Sequence, residues 1–385
     1  MLYLTKVMIK ILFDPQIFNE QKFGGISRVF TEMWTELSDI NGIQVDCPLF
    51  YTDNIHFQES QLFSNSFQKK NKRLIKISKI LRPYRPENLK KKNVSKTIEL
   101  LKAQQFDLLV PTYYDPYFIP YLGNKPFVLT VHDMIHEMLP HFFENDHTTV
   151  PNKKLLIEKA TKIIAISNST KKDILTIYPQ IDAAKIEVVP LAHSIKKATT
   201  TQPELPKKYI LFIGHRWLYK NFPFFLKAIA PVLKANPDTH LLCAGGNSFT
   251  AEELQLIGEL GVKQQVVQQN FRDDELAIYY KKALFFVFPS QYEGFGIPVL
   301  ESMACGCPII LANHSSFPDV AGDAAVYFEL DNAQDLTDKI TLLIADPELR
   351  AKYSHDGLEQ AKKFSWKKTA KEYLKIYRKV VTRSN

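Results

Sequence analysis

The chain has 385 residues, a formal net charge of +8, 45% hydrophobic and 23% charged residues, 22 prolines, 14 glycines and four cysteines. This length predicts two or three domains, each able to bury its own core, and the composition excludes a disordered chain, a collagen-like repeat and a disulfide scaffold. Cys47, Cys243, Cys305 and Cys307 are too few and too unevenly spaced to staple a secreted fold, so a reducing, cytoplasmic setting is expected.

The opening MLYLTKVMIKILFD is apolar, but Lys6 and Lys10 interrupt it and no small-residue cleavage site follows. The longest apolar stretches, such as ALFFVFP at 283–289, fall far short of the roughly 20 residues that span a bilayer. A soluble or peripheral protein is expected. VMIKILF (7–13), FDLLVPT (106–112), PFVLTVHD (126–133), KIIAIS (162–167) and KIEVVP (185–190) are almost continuously apolar and read as buried parallel strands.

Between the first two of these runs, residues 69–96 hold twelve Lys and Arg against one acid, Glu87. That local +11 leaves −3 on the rest of the chain, so the excess charge is a local device. Leu74, Ile75, Ile77, Ile80 and Leu81 interleave with the cations, which suits a basic amphipathic helix at the anionic inner face of a membrane. A solvated basic face fits equally well. Nucleic acid comes last, because the stretch has a single aromatic, Tyr84, and no binding motif.

After Pro190 the polar run IKKATTTQPELPKK reads as an interdomain linker. A second set of strand runs follows: YILFIG (209–214), HLLCAGG (240–246), VKQQVVQQ (262–269), LFFVFPS (284–290), CPIILAN (307–313) and AAVYFEL (324–330). Helical patterns separate them, so the expectation is α/β, with two doubly wound Rossmann-like domains over 1–195 and 207–365. The last segment, 366–385, places Trp366, Ala370, Tyr373, Leu374, Tyr377, Val380 and Val381 at helical spacing, and is expected to pack back on the first domain. Parallel sheets bind ligands beyond the carboxyl ends of their strands, so the expected site is the cleft between the domains.

The motifs lie just after strands. In SQYEGFGIPVLESMACGCPII (290–310) a Gly-bearing turn precedes Pro298 at the first turn of a helix. Free N–H groups around Phe295, Gly296 and Ile297, with the helix dipole behind them, suit a diphosphate or a sugar hydroxyl. Glu293 and Glu301, with seven residues between them, can contact different parts of one bound molecule; alternatively Glu301 only stabilises a helix N-terminus. Gly24 and Gly25 permit a tight turn and close backbone approach to phosphate, or simply form a structural turn. Arg216 and Lys220 follow the strand ending at Gly214 and can neutralise a departing nucleoside diphosphate. His132 ends a strand, and Asp133 can orient it.

EGFGIPVLE with MACGCPII resembles the glutamate-x7-glutamate signature of retaining GT-B glycosyltransferases of family 4. FGGISRV (23–29), TVHDMIHEMLP (130–140), AISNSTKKDI (165–174) and GHRWLYKNF (214–222) resemble that family's glycine loop, HD segment, SxxS/T-K-x-D segment and Arg/Lys motif, in order. In texture the chain is nearest to O-polysaccharide mannosyltransferases, which share FGGISR and the YKNF form. The resemblance implies a GT-B fold and transfer of a hexose from a GDP- or UDP-linked sugar, with GDP-mannose favoured, to a glycan or lipid-linked oligosaccharide. It places the glycine loop over the donor diphosphate, His132 near the donor sugar, Glu293 on the sugar hydroxyls and Glu301 on the ribose. His215 stands where many members carry Arg, so Arg216 is a displaced substitute while Lys220 matches.

No cofactor or metal is expected. His132, His136, His141 and His147 crowd one segment, but HEMLPH is one residue too long for H-E-x-x-H and Pro140 breaks the helix. Asp273 and Asp274 sit where a helix N-cap belongs. The rival readings are a nucleotide-sugar epimerase or phosphorylase on the same fold and a non-enzymatic nucleotide-binding protein. A nicotinamide enzyme would need the dinucleotide glycine fingerprint, which FGGISRV does not supply.

Overall fold

The computed structural model describes residues 8–70, 86–195 and 203–384. Most of the interleaved basic stretch (71–85) and part of the linker (196–202) therefore lie outside the described residues.

The apolar runs fold as parallel strands because helices cover both sheet faces and bury both rows of side chains. The first domain holds β1 (Ile9–Phe13), β2 (Ile43–Asp46), β3 (Leu108–Val110), β4 (Val128–Val131), β5 (Lys162–Ala165) and β6 (Ile186–Val188). They pair as β2-β1-β3 and β4-β5-β6. A bridge between Leu109 and Phe127, beside a bond from Leu109 N–H to the Pro126 carbonyl at 3.1 Å, joins the two halves. β2 escaped the sequence reading because it is a four-residue edge strand, IQVD, with two polar positions.

The second domain is one six-stranded sheet of β7 (Tyr209–Ile213), β8 (His240–Ala244), β9 (Val266–Gln269), β10 (Phe286–Phe288), β11 (Ile309–Ala312) and β12 (Val326–Phe328). Its order, β12-β11-β10-β7-β8-β9, reverses winding between β7 and β10, which opens a crevice at their carboxyl ends. β7 and β8 run level to Ile213 and Ala244, and the chain then turns through Gly214 and Gly245 at φ 93° and 77°. Gly246 passes so close that a Cβ there would lie 2.3 Å from the Gly214 carbonyl oxygen.

The last helix, Trp366–Ser384, packs against the first domain's helix Gly25–Ser38 and against β3 and β5. It buries Ala370, Tyr373, Leu374, Tyr377 and Val380. Trp366 Nε1 donates to Ser194 Oγ at 2.8 Å, and Thr369 Oγ1 to the Pro190 carbonyl at 2.9 Å. Burying a large apolar side chain contributes about 1.5–3 kcal/mol, so this helix ties the two domains together firmly.

Candidate active site

The loop after β7 is shaped by positive φ at Leu218 (53°) and Asn221 (58°), and Gln291 N–H donates to the Tyr219 carbonyl at 2.8 Å. This brings Lys220 to the crevice, where Nζ donates to Glu293 Oε1 at 2.6 Å and lies over the rings of Tyr219 and Phe288. Burial presses the Lys220 pKa down, but the Glu293 carboxylate and Tyr219 outweigh it, so the ammonium sits above its ordinary range. Glu293 is fixed by its own main chain: its N–H donates to Ser315 Oγ at 3.2 Å, and its carbonyl accepts from Ser315 at 2.6 Å and Ser316 at 2.8 Å.

Gly296, at φ 87°, caps the helix Ile297–Ala304. Among the described residues, the N–H groups of Phe295, Gly296 and Ile297 have no acceptor in the chain. The Phe295 side chain is buried edge-on against Phe364, so that residue offers only its backbone. Across the cleft, the helix Gly25–Ser38 begins with the N–H groups of Gly25 and Ile26 equally without acceptors among the described residues. A Cβ built on Gly25 would lie 4.0 Å from Ile297 Cδ1, so two helix N-termini converge from opposite domains. Their dipoles favour an anion between them. Gly24 also gives room to Gln21, whose Oε1 accepts the Ser27 N–H at 3.1 Å and would lie 2.4 Å from a Cβ at position 24.

The other wall comes from the ends of β4 and β5. His132 is buried, edge-on to Phe30, and its Nε2 has no hydrogen-bond partner among the described residues. Burial holds its pKa near 4, with Lys153 lowering and Asp133 raising it, so the ring is neutral at pH 7. Thr170 Oγ1 donates to the Gly294 carbonyl at 3.2 Å, Tyr292 Oη donates to Asp173 at 2.7 Å, and Asp319 accepts the Ser169 N–H at 2.9 Å. The segment from Ser167 to Asp173 is thus where the first domain grips the turn carrying Glu293.

Three expectations are corrected. Arg216 is not a free cation: Nε donates to Glu253 at 2.9 Å, its other nitrogens donate to the carbonyls of Gly245, Gly246, Asn247 and Ser248, and its plane lies over Phe249. With each guanidinium nitrogen engaged it buttresses the turn after β8, whereas Lys220 stands at the crevice. Asp133 does not bond His132; its carboxylate accepts the Ile135 N–H at 3.1 Å and stands 3.9 Å from Lys153. Asp273 is no helix cap but an ion-pair partner of Arg28 at 2.5 Å.

Glu301 is buried; burial raises its pKa and Arg28 partly counters this. Two participants had no local signal. Lys153, on the helix Thr149–Lys159, is fully buried and donates to the Asp133 carbonyl at 3.1 Å and to Glu137 at 2.9 Å, which holds the segment after β4 in place. Arg28 reaches across to the second domain. The crowded histidines do not act together: His136 faces Asp146 and lies tilted against Phe143, whereas His141 lies tilted against Phe142.

Two Rossmann-like domains whose strand ends face one another, with facing helix N-termini and a Lys–Glu pair at the switch point, define the GT-B class of glycosyltransferases. Residues 23–194 match the family described as Glycosyltransferase Family 4, and residues 196–360 match Glycosyl transferases group 1. The chain belongs to glycosyltransferase family 4. It is 27% identical to O-antigen chain mannosyltransferase B of Escherichia coli over 69% of this chain and 74% of that one. It is 26% identical to O-antigen chain mannosyltransferase RfbU of Salmonella typhimurium, over 62% and 72%. Among solved structures it superposes on sucrose-phosphate synthase from Thermosynechococcus elongatus with a TM-score of 0.71 at 19% identity, covering 97% of this chain and 100% of the other. For HepE of Anabaena, in complex with UDP and glucose, the TM-score is 0.70 at 16% identity, covering 96% and 100%.

Proposed function

We propose that this glycosyltransferase moves a hexose, mannose from GDP-mannose, to a hydroxyl of a glycan or lipid-linked oligosaccharide, with retention of anomeric configuration and without a metal. One observation carries the reading: the Lys220–Glu293 pair stands at the β7/β10 switch point beside two helix N-termini whose N–H groups have no acceptor among the described residues. As the bond from sugar to phosphate lengthens, the sugar becomes oxocarbenium-like and the diphosphate gains charge. Lys220 and the N–H groups of Gly25, Ile26, Gly296 and Ile297 would stabilise that charge, a preorganised electrostatic term. Glu293 would hold the sugar hydroxyls and Glu301 the ribose.

His132, neutral and with Nε2 unpaired among the described residues, suits a hydrogen bond to the donor sugar and does not suit a nucleophile's role. A front-face displacement, with the leaving phosphate taking the acceptor proton, fits this chain better than a glycosidase-like covalent route. Two relatives named as mannosyltransferases favour mannose. The test is incubation with GDP-mannose, UDP-glucose and UDP-N-acetylglucosamine, each with and without a lipid-linked oligosaccharide, the product's anomeric configuration being read by NMR. Hydrolysis or epimerisation without transfer would favour the rival enzymes on this fold, and activity abolished by chelator and restored by magnesium would overturn metal independence.

The acceptor proposal rests on the basic segment 69–96. Within its described part, Lys90 is engaged by Asp53 and the Asn19 carbonyl, and Lys96 pairs with Glu99. Replacing Lys69, Lys70, Lys72 and Arg73 with Gln should weaken binding to anionic vesicles, and unchanged binding removes the membrane surface from the proposal. No helix among the described residues is long and apolar enough to cross a membrane.

A further inference from the structure

Arg28 lies one turn into the helix that starts at Gly25, is 7% exposed, and reaches out of the first domain into the second. Nη2 donates to Asp273 at 2.5 Å, whereas Nη1 stands 3.5 Å from Glu301 Oε1. Asp273 is therefore the firm anchor and Glu301 the loose partner. Among the described residues, the other polar contact of the Glu301 carboxylate is also long, a Tyr280 hydroxyl at 3.4 Å. Charge-assisted bonds to a carboxylate usually measure about 2.7–2.9 Å. Glu301 is thus a buried carboxylate, 5% exposed, whose oxygens are poorly satisfied while a cation waits beside them.

We propose that Arg28 is a positioning residue for the donor: anchored on Asp273, it supplies the positive charge against which Glu301 presents its oxygens to the ribose hydroxyls of a nucleoside diphosphate. The inference rests on the reading of Glu301 as the ribose ligand. Arg28 would keep Asp273 on donor binding and yield Glu301, whose two long contacts give way to two short ones from the ribose. The charged and titratable groups around the cluster are Arg28 and Glu32 on the helix Gly25–Ser38, Asp273 before the helix Leu276–Lys282, Tyr280 on that helix, and Cys305 beyond Glu301. Burial and Asp273 both favour protonated Glu301; Arg28 is the group that opposes them most strongly. A protonated Glu301 would spend one oxygen as a donor and accept fewer ribose hydroxyls.

The test is calorimetric titration of UDP and GDP into the wild type, Arg28→Met, Arg28→Lys and Glu301→Gln from pH 5.5 to 8.5. Each variant is read as a ratio to wild type, which cancels the nucleotide's own titration. Arg28→Met should lose affinity as pH falls, by up to about tenfold per pH unit, and recover toward wild type at the alkaline end. Arg28→Lys should restore a flat ratio, and Glu301→Gln should bind weakly at every pH. A flat ratio for Arg28→Met, whether reduced or not, overturns the role of Arg28 and leaves that of Glu301 standing. Wild-type affinity in Glu301→Gln, or no nucleotide binding by the wild type, overturns both. Should Arg28→Met not unfold cooperatively, Asp273→Asn carries the test: Arg28, unanchored, closes on Glu301, so the donor KM rises several-fold with kcat at saturation retained, and an unchanged KM overturns the proposal.

Discussion

At Gly294 the backbones of the two domains come close together, and a single methyl group there tests whether that contact belongs to the working enzyme. A Cβ at this position would lie 1.8 Å from the His132 carbonyl oxygen and 2.9 Å from Asp133 Cβ. The first of these atoms is backbone at the end of β4 and cannot swing aside as a flexible side chain would. Bringing the contact to even 3.0 Å requires the two walls to part by about 1.2 Å, since no Cβ settles closer. Misplacing reacting groups by about 1 Å costs on the order of a hundredfold in rate. We therefore expect Gly294→Ala to lower kcat roughly a hundredfold, while nucleotide affinity, which in the proposed function draws largely on Lys220 and Glu301 of the second domain, should change much less. The assay is steady-state release of nucleoside diphosphate in the presence of acceptor, with thermal unfolding as a control for overpacking. A variant whose kcat stays within about threefold of wild type, against the hundredfold expected, would show that catalysis does not use the closed contact between Gly294 and His132.

Lys220→Ala should reduce kcat by roughly 10²–10³ with donor KM less affected, and a loss confined to KM would mean that Lys220 binds the ground state only. Arg216→Met should lower the unfolding free energy by about 3–5 kcal/mol, because Glu253 and four carbonyls lose their partner; an unchanged denaturation midpoint with lost activity would return Arg216 to the catalytic set. His132 is held near pH 4 when folded and lies near 6.5 when unfolded, so its contribution is fully present above about 6.5 and is lost as pH falls toward 4. Urea titrations at pH 7 and pH 4 should therefore show wild type losing about 3 kcal/mol more than His132→Gln, and parallel losses would contradict the buried neutral ring.

The strands and the glycine turns were legible because each rests on local chemistry. A near-continuous apolar run such as YILFI can only be a strand covered on both faces, and Gly296 before Pro298 can only open a helix. Glu293, Lys220 and the N–H groups near Gly296 follow from these turns, because a side chain or amide just beyond a strand end has few other places to go. Those features the amino-acid sequence determined unaided. It did not determine where long cationic side chains end. Arg216 turned away to the carbonyls after β8, Lys153 buried itself under the segment after β4, and Arg28 found Asp273 in the other domain. A guanidinium or ammonium on several rotatable bonds takes whichever buried acceptors are within reach, and only the packing of elements distant in the chain puts those acceptors in place.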